Sequence, residues 1–316
     1  MQTPRDVLTP DALGMLQAIA QAGSFAAAAR ELGLVPSALT YRVRQIEDAL
    51  DVLLFDRSSR QARLTAAGDE LIREGNRLLR DIDAVANRVK RVATGWESQL
   101  TLSVDSIISR TTVLELCEAF FALKPPTRVR LRDETLSGTL EALISGQADL
   151  ALGVVPSAAA AENSIHARPL GTVAFVYAVA PHHPLASAPE PLTDAVLQHY
   201  RAVAVADSVQ RGGGVTVGLL GGQDVFTVPS MTAKLEAQLR GLGGGFLPEP
   251  LARPHIEAGH LVVRRVQRPT RMVSVSYAWR ASDPSGEPVG RALQWWLQQL
   301  KQPHTRAALL ERLHTV

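Results

Sequence analysis

The stretch Gly23-Ser24-Phe25-Ala26-Ala27-Ala28-Ala29-Arg30-Glu31-Leu32, followed after Gly33-Leu34-Val35 by Pro36-Ser37-Ala38-Leu39-Thr40-Tyr41-Arg42-Val43-Arg44-Gln45-Ile46-Glu47, decides how the N-terminal segment folds. Breaks at Gly23-Ser24 and at Gly33 to Pro36 cut the alanine-rich run from Leu8 to about Leu50 into three short helices. Pro36 suits the first turn of the third helix, where its missing N–H would have no partner anyway. Ala27 and Ala28 are small enough for close helix packing and are read as fold residues. Beyond the helices, Val52-Leu53-Leu54-Phe55, the polar run Asp56 to Arg63 and then Leu64-Thr65 predict a small two-stranded hairpin, with Thr65 placed to cap the next helix.

From Leu71 the apolar positions fall at Leu71, Gly75, Leu78, Ile82, Val85, Val89 and Val92, in alternating steps of four and three. This is a heptad seam with one weak position, Gly75. Arg73, Glu74, Arg77, Arg80, Asp81, Arg88 and Lys90 solvate the rest of the helix, which favours an intermolecular coiled coil over a helix lying on its own domain's core. Thr94-Gly95 ends it.

Past residue 97, short β-branched runs alternate with amphipathic stretches. Strands are expected at Leu100–Val104, Val129–Arg132 and Leu150–Val154, separated by helices at Arg110–Leu123 and Leu136–Ser145. Further strands are expected at Val173–Ala180, Ala202–Ala206, Gly244–Leu247 and Val273–Trp279, with helices at Met231–Leu239, capped by Ser230, and Val289–Gln299. Such βαβα order predicts a mostly parallel sheet, and two α/β lobes joined by two crossing strands account for it.

At 316 residues the chain has room for two or three compact units. Hydrophobic residues at 46% and charged residues at 20% give a soluble globular profile rather than a disordered or fibrous one, which by itself excludes no class. A net charge of +2 requires any nucleic-acid surface to come from locally clustered arginines. The single cysteine, Cys117, agrees with a reducing compartment, the N-terminus MQTPRDVLTP lacks a signal-peptide pattern, and no stretch approaches the roughly 20 apolar residues of a membrane helix. A cytoplasmic protein with no membrane partner is expected.

The segments from Gly23 to Leu32 and Pro36 to Glu47, with Leu54-Phe55-Asp56-Arg57 and Leu64-Thr65-Ala66-Ala67-Gly68, resemble the LysR-type transcriptional regulators. Weaker similarity continues through Gly146 to Gly153, Ala178 to Leu185 and Gly241 to Pro248. The resemblance implies an α+β multidomain chain. Residues 1–66 would form a winged helix-turn-helix, 67–95 a dimerising linker helix, 96–302 a two-lobed α/β effector domain shaped like a periplasmic binding protein, and 303–316 a C-terminal tail. Lobe I would take about 96–171 and 275–302, and lobe II about 172–274. A homodimer through the linker helix and a homotetramer are the family expectation. Val35-Pro36 stands where the family usually has Ser-Gln, so a helix cap and one common polar contact are missing.

On double-stranded operator DNA, a helix in the major groove must offer donors to base edges. Ser37, Thr40, Tyr41 and Arg44 share one face, while Arg42 falls nearer the phosphate backbone. No acid lies between Pro36 and Ile46, and Glu47, Asp48 and Asp51 follow at the far end. Arg57, Arg60 and Arg63 in the wing suit phosphate or minor-groove contacts.

Ligands of open α/β sheets bind beyond the carboxyl ends of strands. Those ends offer Asp105 and Ser106, Thr135 and Ser137, Asp207 and Ser208, with Gly245 and Phe246 on the opposite loop. Short hydroxyls and helix N-termini there can hold a carboxylate, although each is also an ordinary helix cap. The resemblance makes the positions after the first two strands the inducer pocket. The Val35-Pro36-Ser37-Ala38 variant is similar to a subgroup some of whose members respond to aromatic compounds. An aromatic or carboxylate-bearing small-molecule inducer is therefore expected.

No metal site or cofactor is expected, because the eight histidines lack ligand spacing and the glycine runs Gly212 to Gly214 and Gly241 to Gly245 lack the lysine and hydroxyl of a phosphate loop. Cys117 lies among Leu114, Leu116 and Phe120 and is read as a buried small hydrophobe. Two rival readings are a solute-binding protein of transport, opposed by residues 1–95, and an α/β enzyme with an appended helical domain, for which the sequence supplies no acid, base and nucleophile set.

Overall fold

A computed structural model of the protein describes residues 3–56, 62–157, 165–209, 218–280 and 289–313. The chain divides into two compact units, Met1–Val89 and Lys90–Val316.

The first unit is a helical head. Helices α1 (Pro4–Val7), α2 (Pro10–Ala22), α3 (Phe25–Glu31) and α4 (Pro36–Leu50) precede a hairpin of β1 (Phe55–Asp56) and β2 (Arg63–Leu64) and the long helix α5 (Ala66–Thr94). Side chains of Thr9 and Ser24 cap α2 and α3 by accepting from Ala12 N and Ala27 N, each at 3.2 Å. Leu16, Ile19, Ala28, Leu39, Val43 and Ile46 fill the core between them. The hairpin is tied to the helices in two ways. The Phe25 and Phe55 rings meet edge to face at 5.2 Å, and buried Glu47 accepts from Leu54 N at 2.8 Å and Phe55 N at 3.4 Å.

Thr65 caps α5 as expected, accepting from Gly68 N at 3.0 Å while donating to Leu53 O at 2.6 Å. Gly68 is dictated by proximity, since a Cβ there would stand 2.1 Å from the backbone oxygen of Leu54. The seam of α5 divides into two parts. Leu71 packs on the head's core and Gly75 lies against Leu13. Leu78, Ile82, Val85, Val89 and Val92 are between 46% and 72% exposed and form an apolar stripe along the rest of the helix.

The second unit has two lobes. In the first, β3 (Gln99–Asp105) pairs in parallel with β4 (Arg128–Glu134) and β5 (Leu150–Val154), with α6 (Arg110–Ala122) and α7 (Gly138–Ile144) as crossovers. Two antiparallel strands, β6 (Ile165–Val179) and β11 (Arg271–Arg280), run from this sheet into the second lobe. A register shift between Val275 and Ser276 bends β11 at the crossing. The second lobe holds α8 (Asp194–Gln198), β7 (Ala202–Val205), β8 (Val225–Val228), α9 (Met231–Leu239), β9 (Gly245–Pro248), α10 (Glu249–Glu257) and β10 (Val262–Val263). Helices α11 (Arg291–Lys301) and α12 (Pro303–Glu311) return to the first lobe's core, where Trp296 and Phe120 are fully buried.

The expected mostly parallel sheet is instead mixed, since β6 pairs antiparallel with β9, β10 and β11, and β11 antiparallel with β5. Three further expectations are corrected. The crossing strand β6 begins at Ile165 and not at Val173. Its first half is largely exposed and contains Pro169, which pairs opposite Ser276 at the bulge, a position where a proline is tolerated. The expected C-terminal tail of 303–316 instead contains α12, whose Leu309 and Leu310 are buried in the main core. Helix α10 went unexpected because Pro250 and Pro254 disguise it, the second lying inside the helix. Among the described residues no helix is long and apolar enough to cross a membrane, and no three His, Cys, Asp or Glu side chains are grouped to hold a metal ion.

Candidate functional site

Helix α4 presents a polar face. Val35 is its N-cap residue and supplies no side-chain bond, with Pro36 in the first turn. Ser37, Tyr41, Arg42 and Arg44 are exposed, whereas Leu39, Val43 and Ile46 on the opposite face are buried. Thr40 is half-buried and donates its hydroxyl to Pro36 O at 3.0 Å, and Gln45 donates to the Tyr41 hydroxyl at 3.2 Å. That leaves the Arg42 and Arg44 guanidiniums standing out from a surface with no acidic side chain in its first turn. Arg63 is exposed on β2, while Arg57 and Arg60 lie outside the described residues. Glu47, read from sequence as part of an acidic far end, is instead a buried clamp on the hairpin. Its position four residues after Val43, on the buried face, is the signal that could have shown this.

In the second unit a cavity of about 610 Å³ opens between the lobes, within the range usual for small-ligand sites. Asp105, Ser106, Thr135 and Ser137 line its first-lobe wall and Phe246 the opposite one, together with Phe175, Met231, Lys234 and Arg271. Asp105, at the carboxyl end of β3, accepts from Ile107 N and from the Thr139 hydroxyl, both at 3.0 Å. Burial pushes its pKa from 3.8 up to about 7, against the pull of those hydrogen bonds, and the charge of Asp207 adds to the rise. Gly153 lets the end of β5 run past it. Its φ of 94° and the 2.6 Å that would separate an added Cβ from the Asp105 Cβ both require glycine.

Asp207, Ser208 and Gly245 are not on the cavity wall. Asp207 accepts from the Ser137 hydroxyl at 2.5 Å, and Ser208 Oγ accepts from Thr135 N at 2.7 Å. The Thr135 hydroxyl also donates to Ala206 O at 2.6 Å. These groups therefore stitch the two lobes together beside the cavity. Gly245 lines a smaller inner cavity of about 20 Å³, shared with Tyr177, Lys234 and Phe246. Sequence reasoning missed Lys234 and Arg271. The one signal available was a lysine among Met231, Leu235 and Ala237 on the buried face of α9.

A head of this kind joined to a two-lobed ligand domain matches two family models. Residues 10–69 match the bacterial regulatory helix-turn-helix protein model of the lysR family, and residues 93–303 match the LysR substrate binding domain. The chain belongs to the LysR family. It is 36% identical over 296 residues to the probable HTH-type transcriptional regulator YhaJ of Escherichia coli, covering 93% of this chain and 96% of that one. It is 34% identical over 290 residues to the uncharacterized HTH-type transcriptional regulator YeeY of the same organism, covering 92% of each. Among solved structures, full-length CbnR complexed with its target DNA matches with a TM-score of 0.58 at 19% identity, covering 93% of this chain and 99% of that one. Full-length AphB of Vibrio cholerae matches at 0.54 and 18%, covering 92% and 98%. The protein is thus a LysR-type transcriptional regulator, with a DNA-binding helix-turn-helix head and an effector-binding domain.

Proposed function

We propose that the exposed face of α4 reads the major groove of an operator, and that a small molecule in the 610 Å³ cleft controls the outcome at the promoter. The carrying observation is that one helix displays Ser37, Tyr41 and Arg44 on a solvent face while its other face is locked into the head's core. Arg44 and Ser37 reach base edges, with Thr40 and Tyr41 contributing apolar and hydroxyl contacts. Arg42 and the wing residues Arg57, Arg60 and Arg63 neutralise phosphates.

The ligand is an inducer with an aromatic body, held flat against Phe175, Met231 and Phe246, and its polar edge faces Asp105, Ser106, Thr135 and Ser137. Asp207 and Ser208 act indirectly, through Ser137 and Thr135. Because these bonds join the lobes, a ligand that favours one lobe spacing shifts the assembly's equilibrium by its differential affinity for the two states. The assembly is a homodimer through the exposed stripe of α5, doubled into a tetramer. It works in the cytoplasm as a regulator and not as an enzyme.

The test is fluorescence-anisotropy binding of the full chain to the DNA immediately upstream of its own coding region, against a scrambled duplex of equal length. Specific retention of the upstream fragment supports the reading. Equal binding of both duplexes, with and without a panel of aromatic acids, refutes it.

A further inference from the structure

Lys234 sits on the buried face of α9, 7% exposed, and lines both the cleft and the inner cavity. Among the described residues its side-chain amine has no hydrogen bond and no ion pair, the backbone N–H alone donating to Ser230 O at 3.0 Å. Arg271 on β11 lines the same cleft, half-buried, with its guanidinium 5.2 Å from the centre of the Phe175 ring. It too has no carboxylate partner among the described residues. Burial, reinforced by the charge of Arg271, brings the Lys234 amine down to about 8. The acid in the cleft does not neutralise the pair. Asp105 is engaged by Ile107 N and the Thr139 hydroxyl, and the charge acting on it is that of Asp207.

Burying an ammonium without a partner is costly, and buried charges in folded proteins are ordinarily paired. Two cations facing one cavity, with apolar walls around them, are the arrangement a missing counter-charge would complete. We propose that Lys234 and Arg271 form an anion-binding subsite of the cleft, which takes the carboxylate of an organic effector whose apolar body lies against Phe175, Met231 and Phe246. This rests on reading the cleft as the effector site and adds the sign of charge and the residues that select it. Arginine offers a planar fork for a carboxylate and lysine a point charge, so together they favour a carboxylate over its neutral amide.

The experiment is thermal-shift and calorimetric titration of the full chain with 2-naphthoate, with its neutral isostere 2-naphthamide, and with sulfate alone. Wild type should bind the naphthoate in preference to the amide. Lys234→Met should weaken naphthoate binding by about 10- to 100-fold, the worth of a charged hydrogen bond, while Lys234→Arg keeps the preference. The ligand-free Tm of Lys234→Met should rise, because an uncompensated buried charge is removed. A merely structural lysine would lower it.

Equal stabilisation by acid and amide, or none by either, overturns the subsite. Full stabilisation by sulfate alone overturns its assignment to an organic carboxylate. Failure of the underlying cleft reading shows differently: naphthoate binding would survive Met231→Trp, which fills the cavity.

Discussion

Replacing Asp105 with asparagine should make the effector domain more stable at neutral pH and remove much of its pH dependence. Asp105 is 5% exposed, and burial raises its pKa from 3.8 to about 7. In this interval the folded state holds a proton that the unfolded chain releases, so stability declines as pH rises from about 4 to about 7. At about 1.4 kcal/mol per pH unit, the rise is worth roughly 4 kcal/mol. Asparagine keeps the shape and one acceptor for Ile107 N or Thr139, and losing the second acceptor costs about 1 kcal/mol.

The net gain at pH 8 is therefore about 3 kcal/mol, or roughly 6 to 12 °C in Tm for a domain of this size. All four tryptophans, Trp96, Trp279, Trp295 and Trp296, lie in the second unit. Intrinsic tryptophan fluorescence therefore reports the melting of that unit selectively. Melts of both proteins at constant ionic strength should diverge from pH 4 to pH 8. A Tm difference that stays constant across this range would refute the reasoning.

Gly68→Ala should destabilise the head by roughly 2 kcal/mol, although alanine is favoured over glycine in a helix by about 1 kcal/mol. The added methyl meets a backbone oxygen that no rotamer change can move, and far-UV circular dichroism melts would show the loss. Ile82→Glu should place a charge in the apolar stripe of α5 and shift the protein toward monomer, read by light scattering after size exclusion. An unchanged molar mass would remove α5 as the dimer seam.

The head was largely legible because its punctuation is local. Gly23-Ser24 and Pro36 act on their own backbones, and the alternation of Leu39, Val43 and Ile46 with Ser37, Tyr41 and Arg44 reports which face is buried. The first-lobe wall of the cleft was legible for a similar reason. Asp105, Ser106, Thr135 and Ser137 follow the carboxyl ends of β3 and β4, which the βαβ order already orients.

The opposite wall depends on how two lobes meet, a pairing with no local sequence signature. Asp207 and Ser208 satisfy the same strand-end rule yet bond to Ser137 and Thr135 and do not line the cavity themselves. Lys234 and Arg271 occupy a helix and a strand whose patterns look like ordinary core and crossing elements. Proline misled twice, at Pro169 and Pro254, where a bulge and a short helix absorb a residue that normally ends such elements.

The central claim, that α4 reads bases while the wing binds the backbone, is tested most directly by the salt dependence of operator affinity in Arg44→Ala and Arg63→Ala. The account predicts that Arg44→Ala loses about 1 to 3 kcal/mol against the operator and little against random DNA. Arg63→Ala should weaken both duplexes alike and reduce the log–log salt slope by about 1. Arg44→Ala binding operator and random DNA with the same ratio as wild type would contradict the account.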